Sequence, residues 1–222
     1  MGTEDHGSTS APQPSADELA RVLLAQVCRE HDPSDEPLFV GLDGRSGAGK
    51  STLAAALSLR IAHDRAGLTT VIEGDQFYAG GSAEVWDRRA AAEKAARVID
   101  WRRQRAVLEQ LRDGGVAEWY PFDWEADDWD ADVVPLAPEP IVARAGSVVV
   151  LEGAYSCRPE MHDLLDVRVL LDVPREVRRR QLLAREGKAY RSDWEARWSA
   201  AEDHYFASLM PPENFDLLLG SA

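Results

Sequence analysis

The string "GRSGAGKST" at residues 44–52 follows directly on the apolar run "LFVGLD" at residues 38–43. It satisfies the pattern G-x-x-x-x-G-K-[ST], in which glycines let the backbone curl until successive N–H groups point into an anion-sized nest. The pattern requires a buried strand before the loop and a helix after it, and the Ala/Leu-rich segment "KSTLAAALSLRIAHDRA" is typical of such a helix. We therefore predict a phosphate-binding loop at the positive N-terminal end of a helix.

Further apolar runs without alternation indicate strands that are buried on both faces, and helical patterns separate these runs. The runs are "LTTVIEG" at 68–74, "SVVVLEG" at 147–153, "DVRVLLDVP" at 166–174 and "NFDLLLG" at 214–220. Strands that alternate with helices predict an α/β fold with a parallel sheet covered on both faces.

The remaining segments predict helices, an insertion and a tail. "SADELARVLLAQVCREH" begins a helix with Ser15 and Glu18 in capping-box spacing, and residues 85–113 are helical in pattern. The segment 116–145 contains four prolines and three tryptophans, and it is interpreted as an insertion of short strands and loops. Residues 1–15 are polar and rich in Pro and Ser, which predicts a disordered tail before one domain at 16–222.

Composition excludes several classes of partner. Lys and Arg number 25 against 39 Asp and Glu, and the formal net charge of −14 disfavours binding to nucleic acid or to an anionic membrane. No stretch reaches the roughly 18 apolar residues of a membrane span. Two cysteines are too few for a disulfide framework. We expect a cytoplasmic protein that binds a small-molecule acceptor, and the oligomeric state stays open, with a homodimer as one arrangement.

A phosphate-binding loop is compatible with a GTPase switch, a motor-type ATPase or a kinase. The common GTPases need an N-K-x-D motif, and Asn214 is the only asparagine of the chain. A kinase needs a base, a Mg²⁺ site and cations that neutralise the transferring phosphoryl. Asp75 follows the second strand and could accept a hydroxyl proton, while Glu152 ends the third strand where an acid holds Mg²⁺. The helix "REVRRRQLLAREG" supplies arginines for a lid that neutralises charge.

Taken in order, these segments resemble the uridine kinase-like P-loop kinases, over about residues 37–219. The resemblance is carried by "DGRSGAGKST", "EGDQFY", "IDWRRQRAVLEQLRDGG", "WYPFDW", "VVVLEGAYS" and "LLDVPREVRRRQLLAREG". It implies a P-loop NTPase three-layer sandwich with a five-stranded parallel sheet. It also implies a small β-rich acceptor-site insertion at 116–137, an Arg-bearing lid at 174–190, and ATP and Mg²⁺ as cofactors.

The resemblance also implies roles for individual residues. The ATP-binding residues would be Gly44, Arg45, Ser46, Gly47, Ala48, Gly49, Lys50, Ser51 and Thr52, and the metal ligands Ser51 and Glu152. The catalytic residues would be Asp75, Lys50, Arg178 and Arg185. The acceptor-binding residues would be Phe77, Tyr78, Asp100, Tyr120, Phe122 and Asp123, with Asp87 as an alternative to Asp100. Uridine kinases carry Y-D-F-x-x-H in the insertion, whereas here Phe122 replaces the Tyr and Asp127 replaces the His.

Three functions follow as hypotheses. The first is an ATP-dependent kinase that phosphorylates a hydroxyl of a nucleoside or nucleoside-like metabolite. The second is a kinase for another hydroxylated or amino-bearing metabolite, because the insertion departs from the uridine kinase pattern and is rich in acidic residues. The third is a regulatory protein that binds a nucleotide and transfers nothing.

Overall fold

The fold is taken from a computed structural model, which describes residues 14–30, 36–65, 67–126, 133–187 and 192–220. Three sequence-based predictions fall partly or wholly outside these ranges. They are the disordered tail for residues 1–13, the replacement of His by Asp127, and the end of the lid region at 188–190. None of the helices in the described ranges is long and apolar enough to cross a membrane.

Within the described ranges, seven strands form two sheets. The strands are β1 (Leu38–Asp43), β2 (Thr69–Glu73), β3 (Val116–Trp119), β4 (Ile141–Arg144), β5 (Val148–Glu152), β6 (Val167–Asp172) and β7 (Leu217–Gly220). The larger sheet has five strands in the order β2-β5-β1-β6-β7, and all of its pairings are parallel. Every residue of β1 and β5 is buried, which explains the unbroken apolar runs in their sequences. The predicted parallel α/β fold is confirmed.

Seven α-helices belong to the described ranges. They are α1 (Ala16–Glu30), α2 (Lys50–Arg65), α3 (Ala83–Asp87), α4 (Ala91–Arg97), α5 (Trp101–Gly114), α6 (Arg175–Glu186) and α7 (Ser192–His204). The predicted capping box begins α1, since the Ser15 N–H donates to Glu18 Oε2 at 2.7 Å and the Glu18 N–H donates to Ser15 Oγ at 3.2 Å. A π-helix, Tyr205–Leu209, continues directly from α7.

The helical pattern between residues 85 and 101 is broken into two short helices. Ala90 is extended, with φ −65° and ψ 158°, and separates α3 from α4. The Trp86 ring is buried, and its Nε1 donates to the Gly80 carbonyl at 2.7 Å, so tertiary packing ends α3 despite good helix formers beyond it. The stretch is therefore helical, as its pattern predicts, but in two short helices.

The segment after α5 folds as an antiparallel hairpin. Gly115, with φ 68°, takes the left-handed conformation that ends α5, and β3 then pairs with β4 from Val116 opposite Arg144 to Trp119 opposite Ile141. A second bridge joins Phe122 to Leu136. The β-rich insertion predicted at 116–137 thus contains β3, and its partner strand follows at 141–144.

Two apolar cores lie on opposite faces of the larger sheet. One core joins α1 and α2 to the sheet and includes Leu23, Leu57 and Val150. The other joins the sheet to α5, α7 and the hairpin, and it is rich in aromatic rings such as Phe77, Trp86 and Tyr205. The carboxyl ends of β1, β2 and β5 therefore open between these layers, where ligands bind in open α/β sheets.

Candidate active site

The predicted phosphate-binding loop connects β1 to α2. Gly47 and Gly49 have φ of 76° and 95°, the left-handed region that glycine adopts without a Cβ clash. The loop and the first turn of α2 line a cavity of about 680 Å³, here called the P-loop cavity. Of the nine predicted ATP-binding residues, Ser46 through Thr52 line this cavity and Gly44 and Arg45 do not.

The two remaining loop residues, Gly44 and Arg45, have other contacts. The Gly44 N–H donates to Asp43 Oδ1 at 2.7 Å. The Arg45 guanidinium pairs with Asp203 at 2.6 Å and lies 5.1 Å from the centre of the Phe206 ring. Both residues therefore fix the start of the loop rather than face its cavity.

The Lys50 side chain folds back over the loop. Its Nζ donates to the carbonyl oxygens of Gly44 at 2.8 Å and Arg45 at 3.2 Å. These contacts hold the ammonium beside the N–H groups that line the cavity. Lys50 is thus placed to contact a phosphate in that cavity, as the motif predicts.

Ser51 and Glu152 lie together at the base of the P-loop cavity. The Ser51 hydroxyl donates to Glu152 Oε1 at 2.9 Å, and Glu152 is only 5% exposed. The pKa of Glu152 is raised, chiefly because the carboxyl group is buried. The charge of Lys50 and the hydrogen bond from Ser51 lower this pKa, and the negative charge of Asp75 raises it. A hydroxyl and a carboxylate side by side form an oxygen donor set of the kind Mg²⁺ prefers, so these residues fit the implied metal.

Asp75 lies between two cavities. It belongs to a 3-10 turn, Gly74–Phe77, directly after β2, and its side chain borders both the P-loop cavity and a second cavity of about 160 Å³. We call the second one the acceptor cavity. Its aromatic lining residues are Tyr78, Trp124, Tyr155 and Trp198. A carboxylate at this junction can accept the proton of a hydroxyl bound on one side while that hydroxyl attacks a phosphoryl group held on the other.

Of the six predicted acceptor-binding residues, Tyr78 alone lines the acceptor cavity. Phe77 and Phe122 are buried, at 0% and 3% exposed, and Phe122 packs edge-on against Tyr78 with ring centres 5.0 Å apart. Burial raises the pKa of Tyr78 to about 12, so its hydroxyl stays neutral.

The polar members of the predicted set lie outside the acceptor cavity, and the carboxylates of Asp100 and Asp123 accept hydrogen bonds from nearby backbone N–H groups. Asp100 caps α5 by accepting from the N–H groups of Arg102 at 3.2 Å and Arg103 at 3.3 Å. The Tyr120 carbonyl accepts from Arg103, and Asp123 accepts from the Glu125 N–H at 3.0 Å. The alternative Asp87 pairs with the buried Arg197 at 2.6 Å. None of these four carboxyl or phenol groups lines the acceptor cavity.

The two predicted lid arginines border the acceptor cavity from α6. Arg178 donates from Nε to the Val173 carbonyl at 3.0 Å and from Nη1 to the Ser46 carbonyl at 3.1 Å. Arg185 borders both cavities, and its side chain is 70% exposed beside Glu186 at 2.8 Å. Arg178 is therefore already anchored to the P-loop, whereas Arg185 has room to move.

Comparison with known proteins identifies the family. The model of the phosphoribulokinase/uridine kinase family matches residues 39–199, which is more than half of the chain. The chain belongs to this family. It is 27% identical to a uridine kinase of Clostridium perfringens over 143 residues, a match that spans 64% of each protein. A uridine kinase of Brevibacillus brevis is 26% identical over 152 residues, 68% of this chain and 66% of the relative.

Solved structures show the same fold. A possible uridine kinase from Bacillus stearothermophilus superposes with a TM-score of 0.67 at 20% identity, over 92% of this chain and 96% of that one. The D-glycerate 3-kinase of Cryptococcus neoformans superposes with a TM-score of 0.62 at 13% identity, over 91% and 92% of the two chains. The family fold predicted from the sequence, a five-stranded parallel sheet between helices, is confirmed.

Several site residues of this family member were missed by sequence reasoning. Tyr155, Trp198 and Glu202 line the acceptor cavity, and Asp43 accepts a hydrogen bond from the backbone of Tyr155. Tyr155 has φ 65°, an uncommon value for a bulky residue, and its N–H is held by Asp43 Oδ1 at 3.0 Å. Asp43 could have been found from the sequence, because it is an acidic residue at the end of an apolar run and directly before the glycine string. The strained backbone of Tyr155 has no signal in the sequence.

Proposed function

We propose that this protein is an ATP-dependent kinase that transfers the γ-phosphoryl group of ATP to a hydroxyl of a nucleoside or nucleoside-like metabolite. One observation carries the proposal. Asp75 borders both the P-loop cavity and the aromatic acceptor cavity, so one carboxylate faces the donor and the acceptor sites. The family membership supports phosphoryl transfer to an alcohol, and uridine kinases are among the relatives.

In this proposal the acceptor hydroxyl lies beside Asp75 and attacks the γ-phosphorus. A new O–P bond forms, the bond from the γ-phosphorus to the bridging oxygen breaks, ADP leaves, and the hydroxyl proton passes to Asp75. Lys50, Arg178 and Arg185 neutralise the charge of the transferring group, which is the larger part of catalysis in phosphoryl transfer. Ser51 and Glu152 would hold Mg²⁺, which when bound neutralises charge on the phosphate oxygens.

The aromatic lining supports a planar acceptor. Trp124 is 44% exposed and stacks on Tyr78 with ring centres 5.1 Å apart at 23°, which leaves an indole face at the mouth of the cavity. Trp198 closes the other side, 6.4 Å from Tyr78 and edge-on to it. Faces of this kind bind a flat ring by offset stacking, worth about 0.5–1.5 kcal/mol beyond area burial.

The charge of the same cavity favours a second candidate, a hydroxylated metabolite that carries an amine. Glu186, Glu195 and Glu202 line the cavity in addition to Asp75, and three arginines of α6, at 175, 178 and 185, line it as well, so the carboxylates exceed the cations by one. Carboxylates beside aromatic faces attract an ammonium group through charge and through cation–π contact. The two candidates differ in whether the acceptor needs a planar ring or a cation.

An acceptor panel tests both candidates. Purified protein with ATP and Mg²⁺ is assayed for ADP release with nucleosides, with amino sugars and with neutral sugars, and Trp124→Ala and Lys50→Met variants are run in parallel. Nucleoside turnover whose KM rises about tenfold in Trp124→Ala supports the first candidate. Turnover of amino sugars alone favours the second. Acceptor-independent ADP release that Lys50→Met does not lower would contradict kinase activity altogether.

A further inference from the structure

The carboxylate of Glu202 on α7 is bonded to the tip of the P-loop. Its Oε1 accepts from the Ser46 N–H at 2.8 Å and from the Ser46 hydroxyl at 2.6 Å. Glu202 is only 4% exposed. Two short hydrogen bonds from one residue to one buried carboxylate oxygen fix both the peptide plane and the side-chain rotamer of Ser46.

The same residue is held from the opposite direction by the lid helix. Arg178 Nη1 donates to the Ser46 carbonyl at 3.1 Å, and its charge interacts favourably with Glu202. Leu182 of α6 packs beside the neighbouring Gly47, where a Cβ would lie 2.7 Å from Leu182 Cγ. Ser46 is therefore clamped between α6 and α7, with its donors turned to Glu202 and its acceptor turned to Arg178.

Ser46 lies where the two cavities meet. It lines both the P-loop cavity and the acceptor cavity, as Asp75 does, whereas Glu202 lines the acceptor cavity alone. A phosphoryl group that moves from donor to acceptor must pass this junction. A shift of the loop tip would therefore change the position of the γ-phosphate, which ATP has and ADP lacks.

The segment after Glu202 strengthens the link between α7 and the loop. The Tyr205 hydroxyl donates to Asp43 Oδ2 at 2.7 Å, at the residue before the loop. Tyr205 also begins the π-helix, an irregularity that is frequent at functional sites. The end of α7 thus contacts the loop before and within its glycine string, while Trp198 of the same helix lines the acceptor cavity.

We propose that Glu202 is a positioning residue that holds Ser46, and with it the tip of the P-loop, in the geometry that directs the γ-phosphate of ATP at the acceptor cavity. The expected effect of Glu202 on turnover rests on the proposed function. The expected effect of Glu202 on nucleotide binding depends only on the P-loop. The carboxylate acts chiefly by accepting two hydrogen bonds from Ser46, and the attraction between its charge and Arg178 is secondary to them.

The test compares Glu202→Ala with Glu202→Gln, whose amide oxygen still accepts from Ser46. Dissociation constants for ADP and for a non-hydrolysable ATP analogue are measured by calorimetry with Mg²⁺, and kcat is measured with an acceptor. We expect Glu202→Ala to weaken binding of the analogue about tenfold more than binding of ADP. It should also lower kcat by about 10–100-fold, since small misplacements of reacting groups have effects of this size. In the ratio of the two dissociation constants, Glu202→Gln and the exposed control Glu213→Ala should stay within about threefold of wild type.

Other results overturn the proposal. Equal losses for alanine and glutamine would show that the charge matters rather than the position. Tighter binding of the analogue by Glu202→Ala would show that Glu202 occupies a place the phosphate needs. If Glu202→Ala does not fold, Ser46→Ala provides the test, because this variant loses the hydroxyl donor alone. It should weaken binding of the analogue about two- to fivefold relative to binding of ADP. If the relative affinity does not change, the proposal is contradicted. A wild type that phosphorylates no acceptor would refute the proposed function, whereas the ratio of the two dissociation constants would still decide the role of Glu202.

Discussion

Substitution of Asp43 by asparagine should destabilise the protein, because this buried carboxylate joins three segments. Asp43 is 0% exposed, and it accepts four hydrogen bonds. Oδ1 accepts from the N–H groups of Gly44 at 2.7 Å and Tyr155 at 3.0 Å. Oδ2 accepts from the N–H of Cys157 at 3.0 Å and from the Tyr205 hydroxyl at 2.7 Å. Asparagine keeps one acceptor oxygen and turns an NH₂ group toward the other two donors.

The magnitude follows from which donors can adapt. The Tyr205 hydroxyl can rotate and accept from the new NH₂ group, but the Cys157 N–H cannot, so one buried donor stays unsatisfied. An unsatisfied buried donor lowers the free energy of unfolding by about 1–3 kcal/mol. Part of this loss is offset because asparagine, unlike aspartate, buries no charge. For a chain of this size the loss corresponds to a fall in Tm of about 2–12 °C. Asp43→Ala leaves three N–H groups unsatisfied and should lose roughly 3–5 kcal/mol, since such losses are not additive.

The assay is urea unfolding followed by tryptophan fluorescence, with Asp113→Asn as the control. Asp113 is exposed near the end of α5, and its substitution should change the free energy of unfolding by less than about 0.5 kcal/mol. A midpoint for Asp43→Asn equal to that of wild type, with an unchanged slope, would refute the reasoning. The carboxylate would then be replaceable, and the four hydrogen bonds would contribute no net stability.

Two further predictions concern the P-loop cavity. Gly47→Ala should weaken nucleotide binding at least about tenfold, because its Cβ would lie 2.7 Å from the Arg178 carbonyl oxygen. The control Gly114→Ala, which has open space around the new Cβ, should bind the nucleotide as wild type does. Equal affinities of the two variants would contradict this prediction. Mg²⁺-dependent binding of a nucleotide analogue should weaken on acidification, because protonated Glu152 does not ligate the metal. The loss should begin at a pH above the ordinary titration range of glutamate, since burial raises the pKa of Glu152. A titration from pH 8 to 5 checks this, and Glu152→Gln, which cannot titrate, should show weak binding at every pH; a wild-type affinity that does not change with pH would contradict it.

The elements of the fold were predictable where the local signal and the packing agree. The capping box of Ser15 and Glu18, the apolar run of β1 and the glycine string each specify their structure within a few residues. The break between α3 and α4 was not predictable, because the buried Trp86 ring decides it and no nearby Gly or Pro marks it.

The acceptor cavity was much harder to predict than the P-loop. Asp100 illustrates the reason, since the same carboxylate oxygen can cap a helix or bind a hydroxyl, and spacing does not distinguish the two. The lining residues Tyr155, Trp198 and Glu202 come from segments far from the insertion, and only tertiary packing brings them together. The sequence pattern therefore predicts seven of the nine named donor-side residues in the lining of the P-loop cavity, but the acceptor side only as a region.

The central claim is that Asp75 activates an acceptor hydroxyl at the junction of the two cavities. The direct measurement is the acceptor-dependent rate of ADP release by Asp75→Asn, alongside the affinity of the same variant for a non-hydrolysable ATP analogue. A general base contributes about 10²–10⁴ in rate, so kcat should fall by at least about 100-fold while the affinity for the analogue stays within about threefold. Turnover close to that of wild type would contradict the claim, and so would a loss of turnover that follows entirely from lost nucleotide binding.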